Sequence, residues 1–590
     1  MIECNTTHGN AWLLDQRRAG RAYFPAYPPG FVPHRGGLLS PCIEDKGVSM
    51  STYPDVLTFI NPASGNCFGE LPMTTAAGVE QAMAEMRAAS RIWSRKEIAD
   101  RVAILRKFQA LLIDSLDEIT DVINQDCGKS RQDAMIEVFI TVDMLDSYLH
   151  HAKRWLQRYE VSSGLFFFKK CYVEPRPYGV VAVISPWNYP FALAMPPVLG
   201  ALLAGNTVVL KPSEVTAATG MLIERLVERV PEMKPFVRVV HGDSRVGAAL
   251  VQSNPDYIFL TGSTLTGRKV AQAAADKLIP SACELGGKDA MIVLDDADLA
   301  AAARWGVWGA FFNAGQTCMA VERVYVHEQV YDQFLELVLH ETEQVTMGYS
   351  RDPFSMFDIG PITDPRQLKV IETHLTDALE RGARALTGGE TNGNFVSPTV
   401  LVDVTQDMRL MQEETFGPLM PILKVSSDAE AIALANDNEF GLGASIWSRD
   451  LHHAWKVARQ IEASSVIIND TITQFAIPML PFGGIKHSGY GRVHGKEGVV
   501  QFTRPYAYAV GQPPPAFDIA TIMRSPGNYE LGKAVLKMTR GASYRQRLEP
   551  VGAALQGSVK RVINIEKRSL LWGAQGASHL VMDGVLRKLR

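Results

Sequence analysis

Cysteine is scarce in this 590-residue sequence. The seven residues (Cys4, Cys42, Cys67, Cys127, Cys171, Cys283 and Cys318) are odd in number and widely spread. No CxxC pair and no Cys/His group at metal spacing occurs, so neither a disulfide framework nor a bound metal is expected, and a reducing compartment such as the cytoplasm fits. Charge of one sign is also lacking. With 59 basic and 63 acidic residues the net charge is −4, which gives no global basic field for nucleic acid. No apolar run is long and unbroken. The stretch 191–210 is interrupted by Pro196, Pro197, Gly200, Gly205 and Asn206 and runs straight into Lys211-Pro-Ser-Glu214, so it reads as a buried helix, a turn and a short strand rather than a membrane span. The first thirty residues contain Asp15, Arg17, Arg18 and Arg21 and no apolar core, so no secretory signal is expected. Short-period repeats are absent too.

What is present is an ordinary globular composition, 46% hydrophobic and 21% charged, over a length that corresponds to about four domain-sized units at roughly 150 residues each. Residues 1–49 are punctuated by proline and glycine without apolar periodicity and read as a poorly ordered extension; Met50 is a candidate natural start. Helical spacing runs from Thr75 to about Trp155, and an extended segment follows over 166–173. Short apolar runs then alternate with helical stretches from Val180 to Leu278, and again from Ala290 to about Val466. Such alternation predicts parallel sheets covered on both faces. Beyond Val510, Gln512-Pro-Pro-Pro515 breaks the chain and Leu531, Val535 and Met538 mark a short amphipathic helix. The segment 541–590 carries nine basic against three acidic residues. Contact with an anionic membrane surface through 541–590 and a solvated tail are both open readings.

Three short strings carry residue types suited to chemistry. Cys318 lies in Phe312-Asn-Ala-Gly-Gln-Thr-Cys-Met-Ala320, a turn of small and amide residues before an apolar strand. Such a turn exposes the sulfur and frees backbone N–H groups for a developing negative charge, whereas a structural thiol normally sits among apolar residues. Nucleophile and core thiol are evenly matched on this string alone. Glu284, in Ala282-Cys-Glu-Leu-Gly-Gly-Lys288, follows a helix and precedes a glycine turn; it is a general-base candidate beside the plainer reading of an ion-paired glutamate. Asn188, in Ile184-Ser-Pro-Trp-Asn-Tyr-Pro190, could donate to an oxyanion or simply make an Asx turn. No GxGxxG is present. Lys211-Pro-Ser-Glu214 stands at a strand end where ligands collect in parallel sheets, and its lysine and glutamate suit ribose hydroxyls.

Taken together, the ordered strings PWNYP, KPSE, LTGS, ELGGK, GQTC, EETFGP and PFGGIKHSG resemble the aldehyde dehydrogenase superfamily over about residues 55–510, and the 34-residue step from Glu284 to Cys318 agrees with it. The resemblance implies oxidation of an aldehyde to a carboxylic acid through a thiohemiacetal and a thioester on Cys318. Asn188 and the Cys318 N–H would hold the oxyanion, and Glu284 would activate the water that hydrolyses the thioester. It further implies a dinucleotide site built from Pro186, Trp187, Lys211, Ser213, Glu214, Gly242, Gly247, Thr261, Gly262, Ser263, Leu285, Gly286, Glu414 and Phe416. The cofactor expected is NAD, because Glu214 can accept from both ribose hydroxyls and would repel a 2′-phosphate; NADP is the alternative. Ser244 departs from the family's usual second glycine in the loop before it. Tyr189, Leu193, Phe312, Met319 and Phe482 are expected to line an apolar entry suited to aliphatic or aromatic aldehydes.

The implied fold is α/β: two doubly wound domains and a small β extension. The dinucleotide-binding domain would span 55–158 and 176–286, the catalytic domain 287–490, and an oligomerisation extension 159–175 and 491–510, leaving 1–54 and 511–590 outside. A homodimer or homotetramer would follow from burying the extension's strand edges between subunits. Two other outcomes are weighed against this one, each marked in relatives by loss of motif residues that this chain keeps. One is transfer of the acyl group to coenzyme A; the other is a non-catalytic dinucleotide-binding relative with an interaction tail.

Overall fold

The computed structural model describes residues 56–164, 166, 169–352, 354–355, 357–511, 524 and 528–540. The readings placed on the N-terminal extension, Met50, Phe167 and Phe168, the 512–515 break and the basic tail lie outside these residues. The chain opens with the antiparallel strands Val56–Ile60 and Cys67–Pro72. The long helical stretch expected from Thr75 is four helices: Ala76–Trp93, Ile98–Asp114, Leu116–Cys127 and Arg131–Leu156. The third ends at Gly128 with φ 73°, a left-handed cap that favours glycine. The fourth starts where Ser130 accepts from the Asp133 N–H.

Two mainly parallel sheets follow, as the alternation predicts. The first has strand order Gly489–Tyr490, Ser281–Glu284, Tyr257–Thr261, Val180–Ile184, Thr207–Lys211 and Val237–Val239, parallel except at the Gly489–Tyr490 edge. Every residue of Val180–Ile184 and of Thr207–Lys211 is buried, the mark of strands covered by helices on both faces. The second sheet runs Arg384–Ala385, Thr399–Val402, Leu419–Val425, Val321–His327, Asp289–Val293, Gly443–Trp447 and Ser465–Ile468, with only the first strand antiparallel.

A separate three-stranded antiparallel sheet joins Tyr159–Val161, Lys169–Pro177 and Thr503–Gly511. Between 491 and 502 the chain is not part of that sheet: Gly495–Val500 is a short helix packed against Arg131–Leu156 and Met195–Ala204. Asn528–Arg540 is helical, as the late apolar stripe predicts. Among the described residues no helix is long and apolar enough to cross a membrane.

Candidate active site

The carboxyl ends of the first sheet's strands bring the candidate residues together, as parallel α/β sheets do. Asn188 sits in the loop after Val180–Ile184, Lys211 ends its strand, Thr261 ends Tyr257–Thr261, and Glu284 ends Ser281–Glu284. Cys318 reaches the same place from the second sheet, in the loop that leads into Val321–His327. The halves meet closely: a Cβ on Gly287 would stand 2.2 Å from the Cys318 carbonyl oxygen.

The Cys318 loop is an unusual stretch of backbone. Asn313, Ala314 and Gly315 have φ of 52°, 55° and 74°, three successive left-handed residues, of which only the last is glycine. Such conformations persist only where neighbours hold them. Here Gln316 donates to the carbonyls of Asn313 (2.9 Å) and Pro361 (3.2 Å) and accepts from the Thr363 N–H at 2.8 Å. A side chain on Gly315 would collide with the Gly417 carbonyl at 2.3 Å. The turn leaves Cys318 half-buried, not exposed as the sequence implied. Burial pushes its thiol pKa up, and Asp289, Glu414 and Glu284 add to the effect.

Asn188 is buried and its amide donates to the Gln316 carbonyl at 3.0 Å, leaving a second N–H on the same nitrogen. Its carbonyl accepts from Lys129 Nζ at 2.6 Å. Glu137 pairs with that lysine at 2.8 Å, and its other oxygen accepts the N–H groups of Phe191 and Ala192, both at 3.0 Å. Lys129 and Glu137 escaped the sequence reading because no local string marks them; the Asn188, Phe191 and Ala192 backbone groups that they hold lie more than fifty residues away.

Glu284 is buried with neither carboxylate oxygen hydrogen-bonded. Desolvation drives its pKa well above the carboxylate range, partly offset by Arg492. Glu284 and Cys318 line one cavity of about 400 Å³, whose walls include Leu193, Phe259, Phe475, Phe482 and Val493. Of the expected lining residues, Leu193 and Phe482 stand in the wall of this cavity. Tyr189 bonds Thr317 Oγ1 at 2.6 Å and stacks on Phe312, beside the Cys318 loop. Met319 instead lines a second cavity of about 210 Å³ with Asp289 and Gln474.

The dinucleotide candidates form a second group. Buried Lys211 donates to the Pro212 and Gly242 carbonyls at 2.7 Å each and lies 3.8 Å from the Glu214 carboxylate. Arg366 approaches the same carboxylate at 3.6 Å. Ser213 accepts from the Val215 N–H. Gly242 faces Val246, and Gly247 lies against the Lys211 stem within the Ser244–Gln252 helix. The Gly262 N–H bonds the Glu284 carbonyl, and Ser263 caps the Thr264–Ala275 helix, whose free N–H groups suit an anion. At the other end, Glu414 accepts from the Gly287 N–H at 3.0 Å and lies over Gly286; burial raises its pKa to about 8. Leu285 is buried beside it. Phe416, at φ 53°, meets Trp187 edge to face at 5.4 Å, with Pro186 preceding it in the loop. Glu322 sets this loop by accepting from Thr415 N and Phe416 N (2.7 and 2.8 Å) while paired with Lys288 at 2.5 Å. A Glu-Arg pair inside a buried, mainly apolar strand was the available signal for it.

Residues 50–507 match the family model described as the aldehyde dehydrogenase family. A 4,4'-diapolycopene aldehyde oxidase from Methylomonas sp is 42% identical over 449 residues, 76% of this chain and 84% of that protein. Among solved structures, the NADP-dependent glyceraldehyde-3-phosphate dehydrogenase of Bacillus halodurans C-125, complexed with NADP, is similar at 35% identity and TM-score 0.74, covering 78% of this chain and 96% of its own. The NAD-dependent aldehyde dehydrogenase of Sinorhizobium meliloti is similar at 33% identity and the same TM-score, covering 79% and 93%.

Proposed function

Since this chain belongs to the aldehyde dehydrogenase family and is an NAD(P)-dependent enzyme of it, we propose that it oxidises an apolar aldehyde to the free carboxylic acid, with NAD preferred. The observation that carries this reading is one cavity holding Cys318 and an unpaired, buried Glu284 within mainly apolar walls. In it the Cys318 thiol gives up its proton to solvent, the sulfur bonds to the aldehyde carbon, and the carbonyl oxygen becomes an oxyanion. The Asn188 amide and the Cys318 N–H hold that charge, in a site where fixed donors act without solvent reorganisation. Bound nicotinamide supplies the acceptor for the hydride that leaves the thiohemiacetal carbon, so that a thioester remains. Glu284 takes a proton from water as the water oxygen bonds to the thioester carbon. Collapse breaks the carbon–sulfur bond and releases the acid and the thiolate.

The residues present fit the dinucleotide. The Glu214 carboxylate, about a third exposed, stands at a strand end with accepting oxygens available for ribose hydroxyls, and Ser263 heads a helix suited to the pyrophosphate. Glu214 disfavours a 2′-phosphate at that place by like charge. Glu414 and Phe416 would set the nicotinamide end.

Leu193, Phe475 and Phe482 support an aliphatic or aromatic aldehyde by the apolar area they offer. The relative named for 4,4'-diapolycopene aldehyde points the same way. The first sheet would serve the dinucleotide and the second would present Cys318. The exposed edges of the three-stranded sheet would join subunits into a dimer or tetramer.

The test is NADH formation with short, long, aromatic and succinate-type aldehydes beside Cys318→Ala. Turnover that favours apolar aldehydes and vanishes in the variant is expected. Equal turnover of succinate semialdehyde would overturn the apolar assignment, and stimulation by coenzyme A would overturn hydrolysis.

A further inference from the structure

His494 is a histidine with no exposed surface and no hydrogen-bond partner at either ring nitrogen. Buried polar groups are normally paired, because leaving one unpaired forfeits its hydration without return. Its backbone is also strained: φ 65° and ψ 168° lie in a region that glycine alone adopts easily. Nothing in the surrounding protein pairs with the ring. Phe475 and Phe482 flank it at centroid distances of 4.7 and 6.1 Å, and a backbone hydrogen bond ties the residue to the Tyr148 hydroxyl. The imidazole is thus held in place in the wall of the cavity that Cys318 and Glu284 also line.

Glu284 is in the same condition, with both carboxylate oxygens buried and unpaired. Cys318 and Thr261 apart, the remaining walls of that cavity are apolar. Two orphaned polar groups lining one space call for a small polar species between them, and the cavity has room for about one water. Burial moves the imidazole pKa down to about 3, so the ring is neutral at working pH and always keeps one accepting nitrogen.

Resting on the hydrolytic reading above, we propose that His494 is the second acceptor for the hydrolytic water. The water donates one hydrogen to the Glu284 carboxylate and the other to the unprotonated ring nitrogen of His494. Both hydrogens are then engaged, and an oxygen lone pair is left to face the thioester carbon. When the oxygen–carbon bond forms, the proton moves to Glu284. The carbon–sulfur bond then breaks to give the Cys318 thiolate, and the hydrogen on the His494 side stays with the carboxylic acid. The histidine neither gains nor loses a proton.

The experiment is rapid mixing of enzyme, NAD and octanal, following NADH and the decay of the acyl-enzyme separately. His494→Phe keeps the aromatic volume and removes the acceptor; His494→Leu removes it differently, should the first variant fail to fold. Burst amplitude counts intact sites. Deacylation is expected to fall about tenfold, the size of one lost hydrogen bond, while the NADH burst rate stays within about twofold. His494→Gln, which restores an acceptor, should recover much of the loss. Unchanged deacylation in the acceptor-free variants, or a rise in KM alone, overturns the assignment while leaving the proposed reaction standing. Absence of NADH in the unaltered enzyme would overturn both.

Discussion

Lys129 and Glu137 form an ion pair 2.8 Å long that is almost wholly removed from solvent, and between them they hold the Asn188 loop. The lysine binds the Asn188 carbonyl and the glutamate binds the N–H groups of Phe191 and Ala192. A buried pair of this kind does little for stability relative to apolar residues, but breaking it strands a charge. Glu137→Ala is expected to cost about 3–5 kcal/mol in urea denaturation. A Lys129→Met, Glu137→Leu double variant should recover most of that stability and still lose turnover, because Asn188 loses its support. Full activity in the double variant would show that the pair does not position the loop.

Asn188 has one N–H committed to the Gln316 carbonyl, and the proposed reaction assigns the other to the oxyanion. Asn188→Ala should lower kcat by about 10²–10³, as removal of a single oxyanion donor does elsewhere. Asn188→Asp should be no better, since a carboxylate repels the developing charge. Steady-state kinetics at saturating aldehyde separates this from weaker binding, which would appear in KM.

Burial sets the pH behaviour of Glu284. Its pKa is raised by desolvation, so the base is protonated over part of the range in which ordinary carboxylates are charged. Thioester hydrolysis should therefore rise with pH through that raised value, and Glu284→Gln should lose the limb together with roughly 10²–10⁴ in deacylation rate. Stability runs the opposite way. The folded state holds the proton more tightly than the unfolded chain, so this group's contribution is complete below the unfolded carboxyl pKa and is lost as pH climbs through the folded one. Glu284→Gln should accordingly be more stable than the unaltered protein at neutral pH, measured by urea denaturation across pH.

Cofactor choice is expected to turn on Glu214. Its carboxylate lies 3.8 Å from Lys211 and 3.6 Å from Arg366, so removing it takes away the negative charge at the proposed ribose position while both cations remain nearby. Glu214→Ala should shift the ratio of kcat/KM for NADP over NAD upward by at least about tenfold, the effect of 1.4 kcal/mol. No change in the ratio would place the 2′-position elsewhere.

Much of the fold was legible because its signals are local. The apolar runs Val180–Ile184, Thr207–Leu210 and Tyr257–Leu260 are strands in the structure, and the helical spacing between them became helices. The order of motifs likewise led to the correct family. What the sequence misjudged follows from packing. The turn at Cys318 looked open, yet Gln316, Gly287 and the Gly417 carbonyl close around it and leave the sulfur half-buried.

Residue types, their order and the period of their hydrophobicity belong to the sequence by itself, since strand, helix and cap preferences act over a few residues. They determined which elements form, that the sheets are parallel, and which side chains could be nucleophile, base and donor. Only the tertiary structure decided what surrounds those side chains. It paired Lys129 with Glu137 under Asn188, sent Met319 to a different cavity, and left Glu284 and His494 in the walls of one cavity without partners. Burial and hydrogen bonding are properties of the neighbours brought together by folding, and those neighbours come from segments hundreds of residues apart.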